Sequence, residues 1–377
     1  MLIVLGSGDD LAQAATIATR YSAVRRQTAN SQGVEPQVLD YQTQQMKVFP
    51  AISSAYAIFF TGFTLRNIYQ EILSSVEAGD TSRLAEIHCL TSSLKAYASD
   101  VACANIEVCR RSCGGHGYSH ASGIPKIYLR CVPGCTYEGD NTVMYLQCAR
   151  SLLKFLMKGQ AGEKLPVMMR VLSDPLDVPP MLKSAQTFNF DLYTLAFKLN
   201  SLLLITDVAG RMQECIFSES MNEEQAWNMH SQGLVDAAKA YAMFLTSTIF
   251  VDILKRSDWE AKAKAAMAQV CEFYLVNNVL ENSGSFLKNN VISSQQVDIL
   301  IARRMELLKE LRPNAVALVD AFDYPDRLLN SCLGRYDGNV YEALYEYAKD
   351  STLNQHQVHP SFHKYIKPMR EALKAKL

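Results

Sequence analysis

The sequence predicts an all-α protein built as two helical bundles, and three observations carry that prediction. Apolar residues recur at helical spacing along most of the chain, alternating strand patterns are nearly absent, and the longest uncharged stretch has the spacing of a core helix. The clearest stripe is Leu90, Leu94, Tyr97, Val101, Ala104 and Val108, six positions on one helix face.

Taken in order, Ile17, Tyr21 and Val24 open the pattern, and Phe49, Ile52, Tyr56, Phe59 and Phe63 follow. The uncharged run from Val48 to Leu65 approaches membrane-spanning length. It carries Pro50, Ser53, Ser54, Thr61 and Gly62, so it is expected to be a buried helix and not a span. Val143, Leu146, Leu153 and Leu156 predict a helix after residue 140. In the second half the stripes are Leu192, Leu195, Leu199 and Leu202; Val235, Ala238, Ala242, Leu245 and Ile249; and Val297, Ile301, Met305 and Leu308. Each reads as core packing, which makes antiparallel bundles the economical fold. Ile127 to Val132 is the best short strand candidate.

Breaks fall at Ser31 to Pro36, Gly159 to Pro166 and Ser173 to Pro180. The last two read as a linker over 161–184, between a first domain at 1–160 and a second at 185–377. The formal net charge of −1 shows no basic excess, so nucleic acid is not an expected partner. The apolar start Met1 to Leu5 is too short for a signal peptide and no basic residue precedes it. The cysteines include two CxxxC pairs, Cys109/Cys113 and Cys131/Cys135, and no CxxC. Buried thiols in a reducing compartment are expected in preference to a zinc site.

Chemistry concentrates between Cys109 and Arg150. Gly114, Gly115 and Gly117 follow a long helix pattern, where they stop the helix and allow close backbone approach. A plain cap turn is the alternative reading of the same residues. The run lacks GxxxxGK[ST], so it is not a phosphate loop of that kind. Glu138 stands in a polar loop just before a helix, with Asp140, Asn141 and Thr142 as N-cap types. It is either a solvated loop acid or a general base, since a carboxylate at a loop–helix junction can be partly buried and raised in pKa.

Cys113-Gly-Gly-His-Gly-Tyr-Ser119, followed by Cys135-Thr-Tyr-Glu-Gly-Asp-Asn-Thr142, resembles the signature of acyl-CoA oxidases. Ile17-Ala-Thr-Arg-Tyr-Ser-Ala-Val-Arg-Arg-Gln27 and Leu39-Asp-Tyr-Gln-Thr-Gln-Gln45 resemble that family too. So do Ala315 to Asp323 and Leu333 to Glu342 in the second half, and the likeness spans nearly the whole chain. The resemblance implies an FAD enzyme that desaturates fatty acyl-CoA and passes electrons to oxygen, giving hydrogen peroxide. Glu138 takes the place of the base that removes the pro-R α-proton, while the β-hydrogen leaves as hydride to the flavin. The family polarises the thioester carbonyl with the backbone N–H of that glutamate and a flavin ribityl hydroxyl.

The resemblance also places Arg25 on the flavin pyrophosphate across a homodimer interface, where a guanidinium suits bidentate contact. Gln42 takes an adenosine-side position, Gly114 and Gly115 the backbone turn against the cofactor, and Asp140 and Thr142 adenine-side positions with altered residue types. Thr28 and Ala29 stand where dehydrogenases of the superfamily have an aromatic residue and a glycine. His116 is expected to cap or pack, and Tyr137 to shape the pocket. Ala375-Lys376-Leu377 is close to the Ser-Lys-Leu address read by the peroxisomal import receptor.

The family has an amino-terminal helical domain and a middle β-domain, and this chain resembles only the two helical domains that follow. Alone it is therefore expected not to turn over substrate. The alternatives are an acyl-CoA dehydrogenase, disfavoured by the second helical domain and the Ala-Lys-Leu end, and a non-catalytic truncated isoform serving as a helical partner subunit.

Overall fold

The computed structural model describes residues 1–218 and 220–375. Small residues at the start of the chain (Gly6, Ser7, Gly8, and then a run of alanines) make a helix thin enough to be surrounded. Helix α1, Leu2–Val24, is buried along most of its length. Helix α2, Gln42–Glu77, and α3, Leu84–Ser112, pack along it, and α5, Asn141–Gln160, packs on α3. Among the described residues the structure is helical, with one isolated bridge between Arg26 and Gln37 and no named strand.

Three helices are long and apolar enough to cross a membrane by length and composition. One is α2, and 72% of its most apolar window is buried inside the fold.

The strand candidate at 127–132 is instead the end of a short helix, α4, Ile124–Cys131, with Val132 opening a 3₁₀ turn. Gly123, at φ 77°, sets its start, and Pro125 sits in the first turn, where its missing N–H costs nothing. Ile124, Ile127 and Cys131 are buried at helical spacing, a pattern that a six-residue window cannot distinguish from alternation. The stripe on α5 holds at Leu156, which is buried, and at Leu146 and Leu153, which are half-buried against the core, but not at its first member. Val143 is 50% exposed, and the buried face runs through Tyr145, Cys148, Ala149, Leu152 and Phe155.

The segment at 161–184 holds a 3₁₀ turn, Val167–Ser173, with Met169 and Leu172 buried. Helices α6, Phe190–Ser218, and α7, Ser231–Arg256, pair after it, and α8, Ala261–Glu281, and α9, Ser294–Leu311, complete the second half. One hydrophobic cluster runs from Val4 to Val340 through both halves. Across that junction the Tyr97 and Tyr274 hydroxyls share a hydrogen bond of 2.9 Å, and Phe49 meets Phe273 edge to face at 6.2 Å.

The segment after α9 returns to α1. Buried Arg20 donates to Asp320 Oδ1 at 2.9 Å and to the Gly334 carbonyl at 2.8 Å. Gly334 lies so close to Ile17 that a Cβ there would stand 2.7 Å from the Ile17 side chain. The downstream motifs therefore brace the helix that carries Arg25.

Candidate active site

Two groups of candidate residues lie at opposite ends of α1. The first is the Glu138 turn. The Thr136 and Tyr137 N–H groups both donate to the Pro133 carbonyl, closing a tight turn after α4. Glu138 then adopts φ 56° and Gly139 φ 110°, two left-handed residues in succession. A non-glycine residue in that region costs on the order of 1–2 kcal/mol, and such conformations concentrate at functional sites. Asp140 ends the turn as the N-cap of α5, its carboxylate accepting from the Thr142 N–H at 2.9 Å.

The Glu138 side chain is exposed on this chain, so any burial of the carboxylate has to come from groups beyond these residues. That differs from the partly buried acid the loop–helix junction suggested. Its backbone N–H donates to no acceptor among the described residues. The Met1 amino group lies near enough for the Glu138 charge to oppose the lowering that burial imposes on it.

Beneath the turn lies a buried polar network. Lys95 Nζ, on α3, donates to the Gly139 carbonyl at 2.7 Å and to Asn141 Oδ1 at 2.8 Å. Asn141 Nδ2 donates to Ser99 Oγ at 2.9 Å and to Asp100 Oδ1 at 2.6 Å. The Tyr145 hydroxyl donates to Asp100 Oδ2 at 3.1 Å. Burial pulls the Lys95 ammonium below its ordinary value, against the nearby charges of Asp100, Asp140 and Glu138. Burial, with the Asp100 charge second, pushes the Tyr145 phenol up.

The second group gathers where α1 ends, α2 begins and α3 stops. Arg25 is the C-cap of α1, half-buried, and the one hydrogen-bond partner of its side chain among the described residues is the Tyr341 hydroxyl at 3.5 Å. Its carbonyl accepts from the Val38 N–H at 2.7 Å, which ties it to the segment leading to exposed Gln42. Two residues on, buried Gln44 donates to Ser22 Oγ at 3.0 Å and to the Ser112 carbonyl at 2.9 Å. Gly114 and Gly115 follow directly, exposed, with no atom within 4 Å of where a Cβ would sit. His116 packs edge-on against Tyr21, with ring centroids 6.1 Å apart. Arg312 fixes the intervening loop from the second half, donating to Asp40 at 2.8 Å and Gln37 at 2.6 Å. Thr28, where dehydrogenases carry the aromatic residue, has φ 66°, an unusual conformation for a β-branched residue.

The structure thus brings Arg25, Gln42, Gly114 and Gly115 together, and it groups Glu138 with Asp140 and Thr142. It does not join the two groups. Counting along α1 at 1.5 Å per residue separates Met1 from Arg25 by about 35 Å, and Lys95 from Ser112 along α3 by about 25 Å. Sequence reasoning missed Gln44, Lys95 and Asp100, and treated Asn141 only as a cap type. Lys95, a cation one position from Leu94 in an apolar stripe, was the available signal. A further cavity of about 500 Å³ opens elsewhere, with His120, Lys126, Arg130, Arg327 and Arg335 among its lining residues.

A family model described as "Acyl-CoA oxidase, C-alpha1 domain" matches residues 1–153, and one described as "Acyl-CoA oxidase" matches residues 189–371. Mouse peroxisomal acyl-coenzyme A oxidase 1 is 42% identical over 379 residues, covering 98% of this chain and 57% of the mouse protein. The chain therefore spans little more than half the length of that relative. Among solved structures, acyl-CoA oxidase-1 of Caenorhabditis elegans complexed with FAD and ATP is 34% identical. It superposes with a TM-score of 0.93 over 98% of this chain and 56% of that one. Arabidopsis thaliana acyl-CoA oxidase 1 is 36% identical with a TM-score of 0.90, over the same shares of the two chains.

Proposed function

The chain belongs to the acyl-CoA oxidase family, and from that premise we propose that it supplies the catalytic base and the partner-subunit half of the flavin site in a fatty acyl-CoA oxidase. The substrate would be a fatty acyl-CoA and the product its trans-2-enoyl-CoA, with oxygen reduced to hydrogen peroxide. The observation that carries the reading is the Glu138 turn, a left-handed glutamate anchored from below with its carboxylate and its N–H both directed away from the fold's own bonds.

FAD suits the other group. Gly114 and Gly115 leave open the space that side chains would fill, and the Arg25 guanidinium is nearby with donors to offer a pyrophosphate. Exposed Gln42 would serve the adenosine side. When bound, FAD supplies the hydride acceptor and the route for electrons to oxygen. The chain's own part is to hold the cofactor at Arg25, to take the α-proton at the Glu138 carboxylate, and to offer the Glu138 N–H to the thioester oxygen. A carboxylate is the right type, because it accepts one proton and is neutral afterwards.

The distance between Arg25 and Glu138 supports a homodimer. About 35 Å, the length of α1 at 1.5 Å per residue, exceeds an extended flavin dinucleotide, so one flavin served by both residues needs them from two copies. The portion of the relatives beyond this chain would cover the flavin ring and complete the acyl tunnel. The test is therefore a chimera in which this chain replaces the matching part of the mouse relative. Mixed anaerobically with a saturated long-chain acyl-CoA, it should bleach its flavin, and admitted oxygen should restore the colour with release of peroxide. The same chimera with Arg25→Ala should leave gel filtration short of flavin and partly monomeric. Stoichiometric flavin on a dimeric Arg25→Ala protein would remove Arg25 from the site.

The proposed location is the peroxisomal matrix, by the names of the relatives and the Ala-Lys-Leu tail. Ala375 follows an exposed last helix, Lys367–Lys374, while Lys376 and Leu377 lie outside the described residues. A fluorescent fusion ending in Leu377 should be punctate, and deleting Leu377 should leave it cytosolic. An unchanged pattern would assign import to another signal.

A further inference from the structure

We propose that Lys95 is a positioning residue for the reaction. It holds the Glu138–Gly139 turn in its left-handed form by donating to the carbonyl immediately after the base, and so aims the carboxylate and the N–H together. The inference rests on the reading of Glu138 as the base.

A lysine is rarely buried in a helical core, yet Lys95 is 4% exposed. It spends its charge on two bonds, to Gly139 O and Asn141 Oδ1, and both acceptors belong to the junction between the turn and α5. One of the two reaches 44 residues onward, to the carbonyl that directly follows the left-handed Glu138. The geometry of the pair explains the need. A left-handed glutamate relaxes towards ordinary backbone unless its neighbours hold it. On its carboxy-terminal side the hold comes from Asp140, capping α5, and from the Lys95 ammonium on the Gly139 carbonyl.

The network beneath makes Lys95 rigid. Asn141 accepts from Lys95 and donates to Ser99 and Asp100, and Tyr145 donates to the other Asp100 oxygen. Every named member lies on α3 or α5. The turn is thus referenced to two long packed helices and not to neighbouring loops, which is how a site keeps its geometry. A neutral side chain of the same length would leave the Gly139 carbonyl without its donor and the turn free to relax.

The experiment compares Lys95→Met, Lys95→Arg and Glu138→Gln, in the 377-residue chain and in the chimera described above. In the chain, Lys95→Met should raise amide hydrogen exchange at residues 138–142 by at least about tenfold, leaving the rest of α5 protected. In the chimera it should lower kcat by about 10- to 10²-fold, as misplaced catalytic groups do, with KM changed less than about twofold. Lys95→Arg should recover part of both losses. Should Lys95→Met melt as a whole, Lys95→Gln, whose neutral amide stays polar but ends one bond short of the Gly139 carbonyl, carries the same comparison. Glu138→Gln should abolish flavin reduction with loop exchange unchanged. Wild-type exchange and kcat in Lys95→Met would overturn the proposal, as would a fall in kcat with the loop unmoved. Continued flavin reduction by Glu138→Gln would instead overturn the reading of the base.

Discussion

Glu138→Gln, carried in the chimera, is expected to slow anaerobic flavin reduction by an acyl-CoA at least ~10²-fold, the usual cost of removing a positioned general base. The substitution keeps the side-chain length and the backbone N–H, so carbonyl polarisation and substrate binding should survive. Gln tolerates the φ of 56° no worse than Glu does, because the strain lies in the backbone and the Cβ and not in the carboxylate. The Lys95 bond goes to the Gly139 carbonyl and is left untouched. Bound flavin should therefore stay near wild-type level and KM should change little, which places the loss in the chemical step. Reduction at near wild-type rate would remove Glu138 from the mechanism and favour a solvated loop acid, a reading its exposure on this chain also permits.

Gly117→Ala is expected to destabilise the protein by about 3 kcal/mol or more, at the upper end of the usual cost of overpacking. A Cβ at Gly117 would stand 1.9 Å from the Arg110 carbonyl oxygen and 2.9 Å from its carbon. Both are backbone atoms in the last turn of α3, so no rotamer change relieves the clash. Either the helix end or the turn has to move, and the loop carrying Gly114 and Gly115 moves with it. Thermal unfolding of the purified chain would show a midpoint lowered by several degrees. Gly115→Ala is the matched control, since nothing lies within 4 Å of its Cβ position and stability should change by no more than about 0.5 kcal/mol. If Gly115→Ala keeps its midpoint and loses flavin, the open space at Gly115 belongs to the cofactor. A Gly117→Ala protein as stable as wild type would show that the turn adapts.

The two glycines illustrate how far the sequence could be read. Gly114-Gly115-His116-Gly117 announces a helix stop and a close approach, but not which glycine serves which purpose. Close approach to the protein's own backbone falls on Gly117, and the open surface on Gly114 and Gly115. The same holds for the polar residues after Glu138. Asp140 caps α5 as its residue type implies, whereas Asn141, read only as a cap type, is buried and joins Lys95 to Asp100. Capping is decided within four residues of chain, and the network is decided by the packing of α3 on α5.

The sequence by itself determined the helical character, the long helices and the order of the motifs, because helical periodicity and chain-breaking residues act over a few turns. It also singled out Glu138 and Arg25 as candidates, through their resemblance to a family. Only the tertiary structure decided that the 127–132 segment is helical, that Gln44 ties three helix ends together, and that Lys95 lies under the Glu138 turn. It alone set Arg25 and Glu138 at opposite ends of α1. The physical reason is range. Periodicity is a property of neighbours along the chain, whereas a buried hydrogen bond between residues 44 or 68 positions apart exists only once the helices carrying them have packed.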